Sequence, residues 1–210
     1  MPDARETLDT IAARTLGHYE ANAADFWAGT RDHDVSQNRA ALLDALGGPP
    51  PLRILDLGCG PGRDLAVFRD LGHAPVGLDG CAAFVAMARA HAGCEVLHRS
   101  FFELDLGDRR FDGVFANASL FHAPRAVLPR VLAALHAALV PGGVLFCSNP
   151  RAFSEEVEGW QDDRYGCYLT VDGWLRIVAD AGFVCERHYL RPPGVPPARQ
   201  PWLAMTCRRP

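Results

Sequence analysis

The stretch RILDLGCGPGRD, Arg53–Asp64, decides the fold. Ile54, Leu55 and Leu57 give its first half the apolar character of a buried strand, and Gly58, Gly60 and Gly62 then form a turn into a helix. Such a turn lets backbone approach a nucleotide closely. The dinucleotide fingerprint G-x-G-x-x-G is not met, because Gly58 and Gly60 fit but the third position falls on Arg63. No Gly-Lys-Ser/Thr follows, so the phosphate-cradling loop is absent as well. Asp79, at the end of the next predicted strand, stands where an acid reaches ribose hydroxyls. A ribose without a diphosphate points to an adenosine whose far end is not phosphorylated.

Outward from this stretch, apolar strands and amphipathic helices alternate. Strands are expected over 53–58, 74–80, 94–100, 110–119 and 141–149, with helices over 63–71, 81–92 and 124–139 between them. Residues 4–46 read as helices, 150–169 as a long loop, and a helix at 170–181 precedes strands at 183–190 and 202–209. The pattern predicts an α/β, doubly wound, Rossmann-like fold. Its mainly parallel seven-stranded sheet should carry an antiparallel hairpin at one edge and an α-helical N-terminal cap. Ligands in such sheets bind beyond the carboxyl ends of the strands, where Asp56–Gly60 lies.

With 210 residues, 49% hydrophobic, the chain suffices for one core, and one domain is expected over 1–210. The helical cap or lid takes 1–48, the core takes 52–210, and 150–169 is an insertion. A net charge of −4 provides no basic face, which excludes nucleic acid as the expected partner. Seven cysteines without a C-x-x-C pair, and without a signal peptide, suggest a cytoplasmic protein with reduced thiols and no metal site. No apolar run reaches membrane-spanning length, and the oligomeric state stays open.

LDLGCGPGRD with VGLDG, then FDGVFANASLFH and LVPGGVLFCSNP, resembles the signature of class I S-adenosylmethionine-dependent methyltransferases over most of residues 52–190. The resemblance implies S-adenosylmethionine as cofactor and a role for each matching position. Asp56, Gly58 and Gly60 should meet the methionine part, Asp79 should hold both ribose hydroxyls, and Gly80 is a further cofactor-binding position. Phe101 and Phe102 should lie where the adenine rests, with Phe101 the candidate contact and ordinary core packing the alternative, and Asn117 should lie near the sulfonium. Many members carry an acid before the aromatic pair, whereas this chain has Ser100.

Acceptor specificity is expected outside that core. GTRDHDVSQN (29–38) is polar within an apolar helical region: a solvated loop capped by Asp34 or Ser36, or a lid over the acceptor. FWAGTRDHDVSQN, FANASLFH, SNPR and QPWLA together resemble the methyltransferase domain at the C-terminal end of ovothiol-biosynthesis enzymes. That resemblance implies methylation of an imidazole nitrogen of 5-thiohistidine, here expected of a stand-alone version without the sulfoxide-synthase module. Candidates to orient or deprotonate the ring are His33 and His122, with a structural histidine as the alternative for each. Candidate acceptor contacts are Tyr19, Trp27, Gln37, Asn38, Arg151 and Tyr165, with Arg151 as a bidentate donor to a carboxylate. Tyr168 and Trp160 could flank the ring beside Tyr165. Two rival readings remain: methylation of another small metabolite such as a quinol, thiol or amine, and a non-catalytic cofactor-binding partner protein.

Overall fold

The structure, a computed structural model, describes residues 7–210. Positions 4–6 of the expected helical region lie outside the described residues. Three helices come first: α1 (Leu8–Ala21), α2 (Ala23–Thr30) and α3 (Ser36–Leu46). Thr7 starts α1, its hydroxyl accepting from the Thr10 amide at 3.2 Å and satisfying one of the donors a helix start leaves open. The break before α3 falls inside the polar 29–38 stretch, where Asp34 Oδ1 accepts from Ser36 N at 2.9 Å.

The alternating core follows as β1 (Arg53–Leu57), α4 (Arg63–Asp70), β2 (Ala74–Asp79), α5 (Ala82–Ala92), β3 (Glu95–His98) and β4 (Phe111–Asn117). Then come α6 (Leu128–Ala138) and β5 (Leu139–Pro150). Helix α6 begins four residues later than expected. Pro124 closes a turn instead, its carbonyl accepting from Val127 N at 2.8 Å.

The expected loop at 150–169 contains a hairpin, β6 (Val157–Gln161) and β7 (Arg164–Tyr168), forming a separate two-stranded sheet. Its turn uses Asp162 at φ 53, a left-handed conformation that aspartate tolerates better than most residues. The chain ends its secondary structure with α7 (Val171–Asp180), β8 (Val184–Arg191) and β9 (Trp202–Arg208).

The seven-stranded sheet runs β3-β2-β1-β4-β5-β9-β8. Strands β1 to β5 pair in parallel, and β9 is antiparallel to both of its neighbours. The expected antiparallel hairpin is present, with β9 inside it and β8 as the edge. Strand order reverses between β1 and β4, so their carboxyl ends open a crevice at that switch point.

Alternation along the strands supplies one face with Leu55, Leu57, Val114, Ala116, Leu145 and Cys147, which pack under α6 and α7. The opposite face carries Ile54, Phe115, Val144 and Phe146 against Leu42 of α3 and Phe68 of α4. There Phe115 stacks on Phe146 at 5.2 Å between ring centroids and meets Phe68 edge-on at 5.3 Å. Among the described residues, no helix is long and apolar enough to cross a membrane.

Candidate active site

The turn after β1 keeps its backbone tight against two neighbouring elements. The amides of Gly58 and Cys59 both donate to the Leu78 carbonyl, at 2.8 and 3.1 Å. Gly58 adopts φ 70, and a Cβ there would lie 2.5 Å from the Ser119 Cβ. Only glycine permits that approach. Asp79, at the end of β2, accepts from Gly60 N on one oxygen and from Cys81 N on the other, each at 2.9 Å. Burial raises its pKa, and these amide donors oppose the rise. Gly80 faces α1, where a Cβ would press on the Leu16 side chain at 3.0 Å.

Asp56 projects from β1 and is buried, with Oδ2 unpartnered among the described residues. Burial pushes its carboxyl well above the ordinary range, and the charge of Asp64 adds to the effect. Asp64 itself is neutralised by Arg39 at 2.6 Å and Arg63 at 2.7 Å.

Two chambers meet at this point. The smaller, under α1, is lined by Leu16, Asp79, Gly80, Phe84, Ser100 and Phe101. The larger is a cleft of about 810 Å³ that extends past Asp56 and Asn117 to the tip of β7 and the proline turn after β8. Tyr19, Phe26, Gly58, Gly60, Ala118 and His122 line both.

Tyr19 and His122 mark that junction. Tyr19 packs edge-on to Phe26 at 5.5 Å, and its hydroxyl lies 2.9 Å from His122 Nε2. His122 Nδ1 lies 2.7 Å from the Tyr165 carbonyl, which can only accept. Nδ1 therefore carries the ring proton and Nε2 accepts from the Tyr19 hydroxyl. Burial drives the His122 pKa down to about 4, so the ring is neutral at ordinary pH. Burial also raises the Tyr19 pKa, opposed by the nearby Arg164 guanidinium. His122 is thus a weak base whose lone pair is already engaged, an arrangement that suits the orienting role better than proton removal.

The expected acceptor residues divide. Trp27, His33 and Asn38 line the larger cleft, with His33 exposed at its rim. Asn38 is committed to structure: Nδ2 donates to Asn117 Oδ1 at 2.9 Å, and Oδ1 accepts from the Tyr189 hydroxyl at 3.1 Å. Gln37 is exposed and is not among the cleft residues. Phe101 and Phe102 both line the smaller chamber, and both also pack in or against the core, Phe102 the more deeply buried.

Two expectations fail for clear reasons. Arg151 donates to the carbonyls of Gln200 at 2.9 Å and Pro197 at 2.7 Å and stacks over Phe153, so it fastens the proline turn outside the cleft. Tyr165 is 1% exposed, because alternation in β7 sends Tyr165 and Cys167 into the core. The same alternation turns Arg164 and Tyr168 toward the cleft, and a Cβ on intervening Gly166 would collide with the Tyr168 hydroxyl at 2.5 Å. Arg164, Arg191, Phe121 and Trp202 also line the cleft and were not anticipated. The two polar turn residues Asp162 and Asp163 between alternating runs were the available signal for the hairpin.

The hairpin also ties this region to the cap. Tyr165 N donates to Thr15 Oγ1 at 3.1 Å, and Arg14 stacks over Trp160 at 4.2 Å.

Comparison with known proteins agrees with this geometry. The profile of a methyltransferase domain matches residues 54–143. The ubiquinone biosynthesis O-methyltransferase of Cereibacter sphaeroides is 30% identical over 175 residues, covering 71% of this chain and 70% of its own. That of Dinoroseobacter shibae is 29% identical with the same coverage. Among solved structures, the Burkholderia thailandensis 1,6-didemethyltoxoflavin-N1-methyltransferase bound to S-adenosylhomocysteine superposes with a TM-score of 0.75 at 24% identity, covering 100% of this chain and 93% of its own. A Leishmania major S-adenosylmethionine-dependent methyltransferase gives 0.79 at 16%, covering 99% and 87%. The chain belongs to the class I S-adenosylmethionine-dependent methyltransferases. It is an enzyme, and S-adenosylmethionine is its methyl donor.

The residues present fit that donor. Asp56 Oδ2, buried and unpartnered, suits a cationic group. Each Asp79 oxygen spends one lone pair on an amide and keeps another for a hydroxyl of the ribose.

Proposed function

We propose that this methyltransferase acts on a small molecule and that the acceptor is 5-thiohistidine, methylated on a ring nitrogen. The observation that carries the reading is the composition of the larger cleft. Phe121, Tyr168 and Trp202 offer aromatic surfaces, and His33, Asp34, Arg164 and Arg191 add charged and polar groups beside them. An aromatic zwitterion matches that mixture. A long apolar tail does not. The segment carrying the resemblance to ovothiol enzymes contributes Trp27, His33, Asp34 and Asn38 to the same cleft.

Bound S-adenosylmethionine supplies a methyl group made electrophilic by its sulfonium. In this reading Asp79 accepts from the ribose hydroxyls, Asp56 faces the ammonium group, and Phe101 lies against the adenine. Gly58 and Gly60 give the methionine part room, and Asn117, fixed by Asn38, lines its path. Catalysis is then chiefly positioning and exclusion of water. Neutral His122 is a positioning residue that fixes the Tyr19 hydroxyl proton, while Arg164 hydrogen-bonds to the same oxygen. His33 stands at the rim as the group able to take up a proton from the acceptor.

The names of the curated relatives favour a second reading, O-methylation of a quinol. Incubating the purified protein with S-adenosylmethionine and each acceptor, followed by mass spectrometry of the products, decides between them. Ring-methylated 5-thiohistidine, formed much faster than methylhistidine from histidine, is the expected result. A methylated quinol with no thiohistidine product would overturn the proposal.

A further inference from the structure

The proposed acceptor cleft contains two arginines that share no close ion pair with a carboxylate among the described residues, although Asp34 lies near enough to Arg191 for the two charges to interact. Among the described residues, neither Arg164 nor Arg191 forms an ion pair, whereas Arg39 and Arg63 nearby share Asp64. Both line the cleft, and the Nε of each is buried with no partner among the described residues. Arg191, at the end of β8, makes one long bond, from Nη2 to the Asp34 carbonyl at 3.3 Å. Arg164, on β7, hydrogen-bonds to Tyr19 and lies close to Tyr168 and His122, where its charge opposes the rise in both tyrosine pKa values and helps hold the imidazole unprotonated. It therefore sits beside the junction of the two chambers.

A desolvated guanidinium donor without an acceptor is costly, and a chain of net charge −4 has carboxylates available to supply one. That neither cation has a close carboxylate partner among the described residues, Arg191 feeling only the more distant Asp34, is accounted for if an anion arrives with the substrate. We infer that the methyl acceptor is an anionic small molecule, with Arg164 and Arg191 as its anchors. The planar guanidinium matches a carboxylate in two-bonded geometry, which makes a carboxylic acid the favoured class. The inference rests on the cleft being the acceptor site, and it does not require the acceptor to be 5-thiohistidine.

Matched acids and neutral counterparts test it: 5-thiohistidine against 5-thiohistamine, and 3,4-dihydroxybenzoate against catechol. Wild type, Arg164→Gln and Arg191→Gln are assayed with each. Calorimetric affinity for S-adenosylhomocysteine reports whether each variant keeps its cofactor site. In the wild type the acid should be methylated with kcat/KM about 10- to 100-fold above its neutral partner, the worth of one or two charge-assisted bonds. In each variant KM for the acid should rise about 10- to 100-fold, and far more than KM for the neutral partner, with cofactor-product affinity preserved.

Equal use of acid and neutral compound by the wild type overturns the inference, even if the variants fail to fold. So does a KM that stays constant, or one that rises equally for both members of a pair. If dihydroxybenzoate is methylated in an arginine-dependent way and 5-thiohistidine is not, the anchors stand and the thiohistidine reading falls. If 5-thiohistidine is methylated without dependence on either arginine, the thiohistidine reading stands and the anchors fall. If no compound is methylated, calorimetric titration of the S-adenosylhomocysteine complex with the same pairs decides, with equal affinity for acid and neutral member counting against the anchors.

Discussion

Replacing Gly58 by alanine should damage the protein in a way that can be separated into two parts. The residue sits at φ 70, and placing an L side chain there costs about 1–2 kcal/mol. The added Cβ would also lie 2.5 Å from the Ser119 Cβ, inside contact distance, and overpacking of this kind costs about 1–3 kcal/mol. Ser119 is 4% exposed on the turn that follows β4, so it has little freedom to retreat. Gly60 is the internal control: it shares the left-handed backbone at φ 53, yet its nearest neighbour would be Phe26 at 3.8 Å, an ordinary contact. Gly60→Ala should therefore lose only the conformational part, about 1–2 kcal/mol, and Gly58→Ala the sum, about 2–5 kcal/mol. Urea denaturation of the ligand-free proteins measures both, and each kcal/mol should appear as about 2–4 °C in the melting temperature. Equal losses in the two variants would refute the close-packing explanation, because Ser119 would then have yielded at no cost.

Asp79→Ala should lower affinity for S-adenosylhomocysteine by about 2–4 kcal/mol in calorimetric titration, two charge-assisted bonds being lost. An unchanged affinity in a folded variant would remove Asp79 from the ribose site. His122 has a folded pKa of about 4, below its unfolded value, so acidification favours the unfolded chain as pH falls from about 6.5 toward 4. The accumulated loss is about 3 kcal/mol, and His122→Gln should abolish it. Asp56 and Asp79, with raised pKa values, act with the opposite sign, so the readout is the difference between the two stability-versus-pH curves. Segment 29–38 should gain hydrogen-exchange protection when S-adenosylhomocysteine and acceptor are bound together, and equal protection with and without them would leave it a solvated loop.

The cofactor side was legible in the sequence because its chemistry is local. Asp56, Gly58, Gly60 and Asp79 lie at strand ends, where a strand-turn-helix pattern fixes both backbone and side-chain direction. The acceptor side was less legible because distant contacts decide it. Arg151 follows β5 as expected, but the carbonyls that capture it belong to Pro197 and Gln200, brought near by a turn almost fifty residues later. Tyr165 and Arg164 are adjacent in sequence and point to opposite sides. Which one enters the cleft depends on the register of a hairpin whose glycines, Gly159 and Gly166, weaken the strand pattern. Asn38 was singled out as an acceptor contact, yet its amide is bonded to Asn117 and Tyr189 on two other strands.

The position of β9 has a consequence for how the chain is made. Translation delivers β5, and then β8, before β9, although β9 is the strand that joins them. Until β9 is in place, β5 presents an unpaired apolar edge and β8 has no strand partner in the sheet. Such edges invite pairing with other chains until they are covered. Residues 202–208 act as a closing slat, so the walls of the acceptor cleft set by Arg191 and Trp202 can assemble only after the ribosome has passed the last strand.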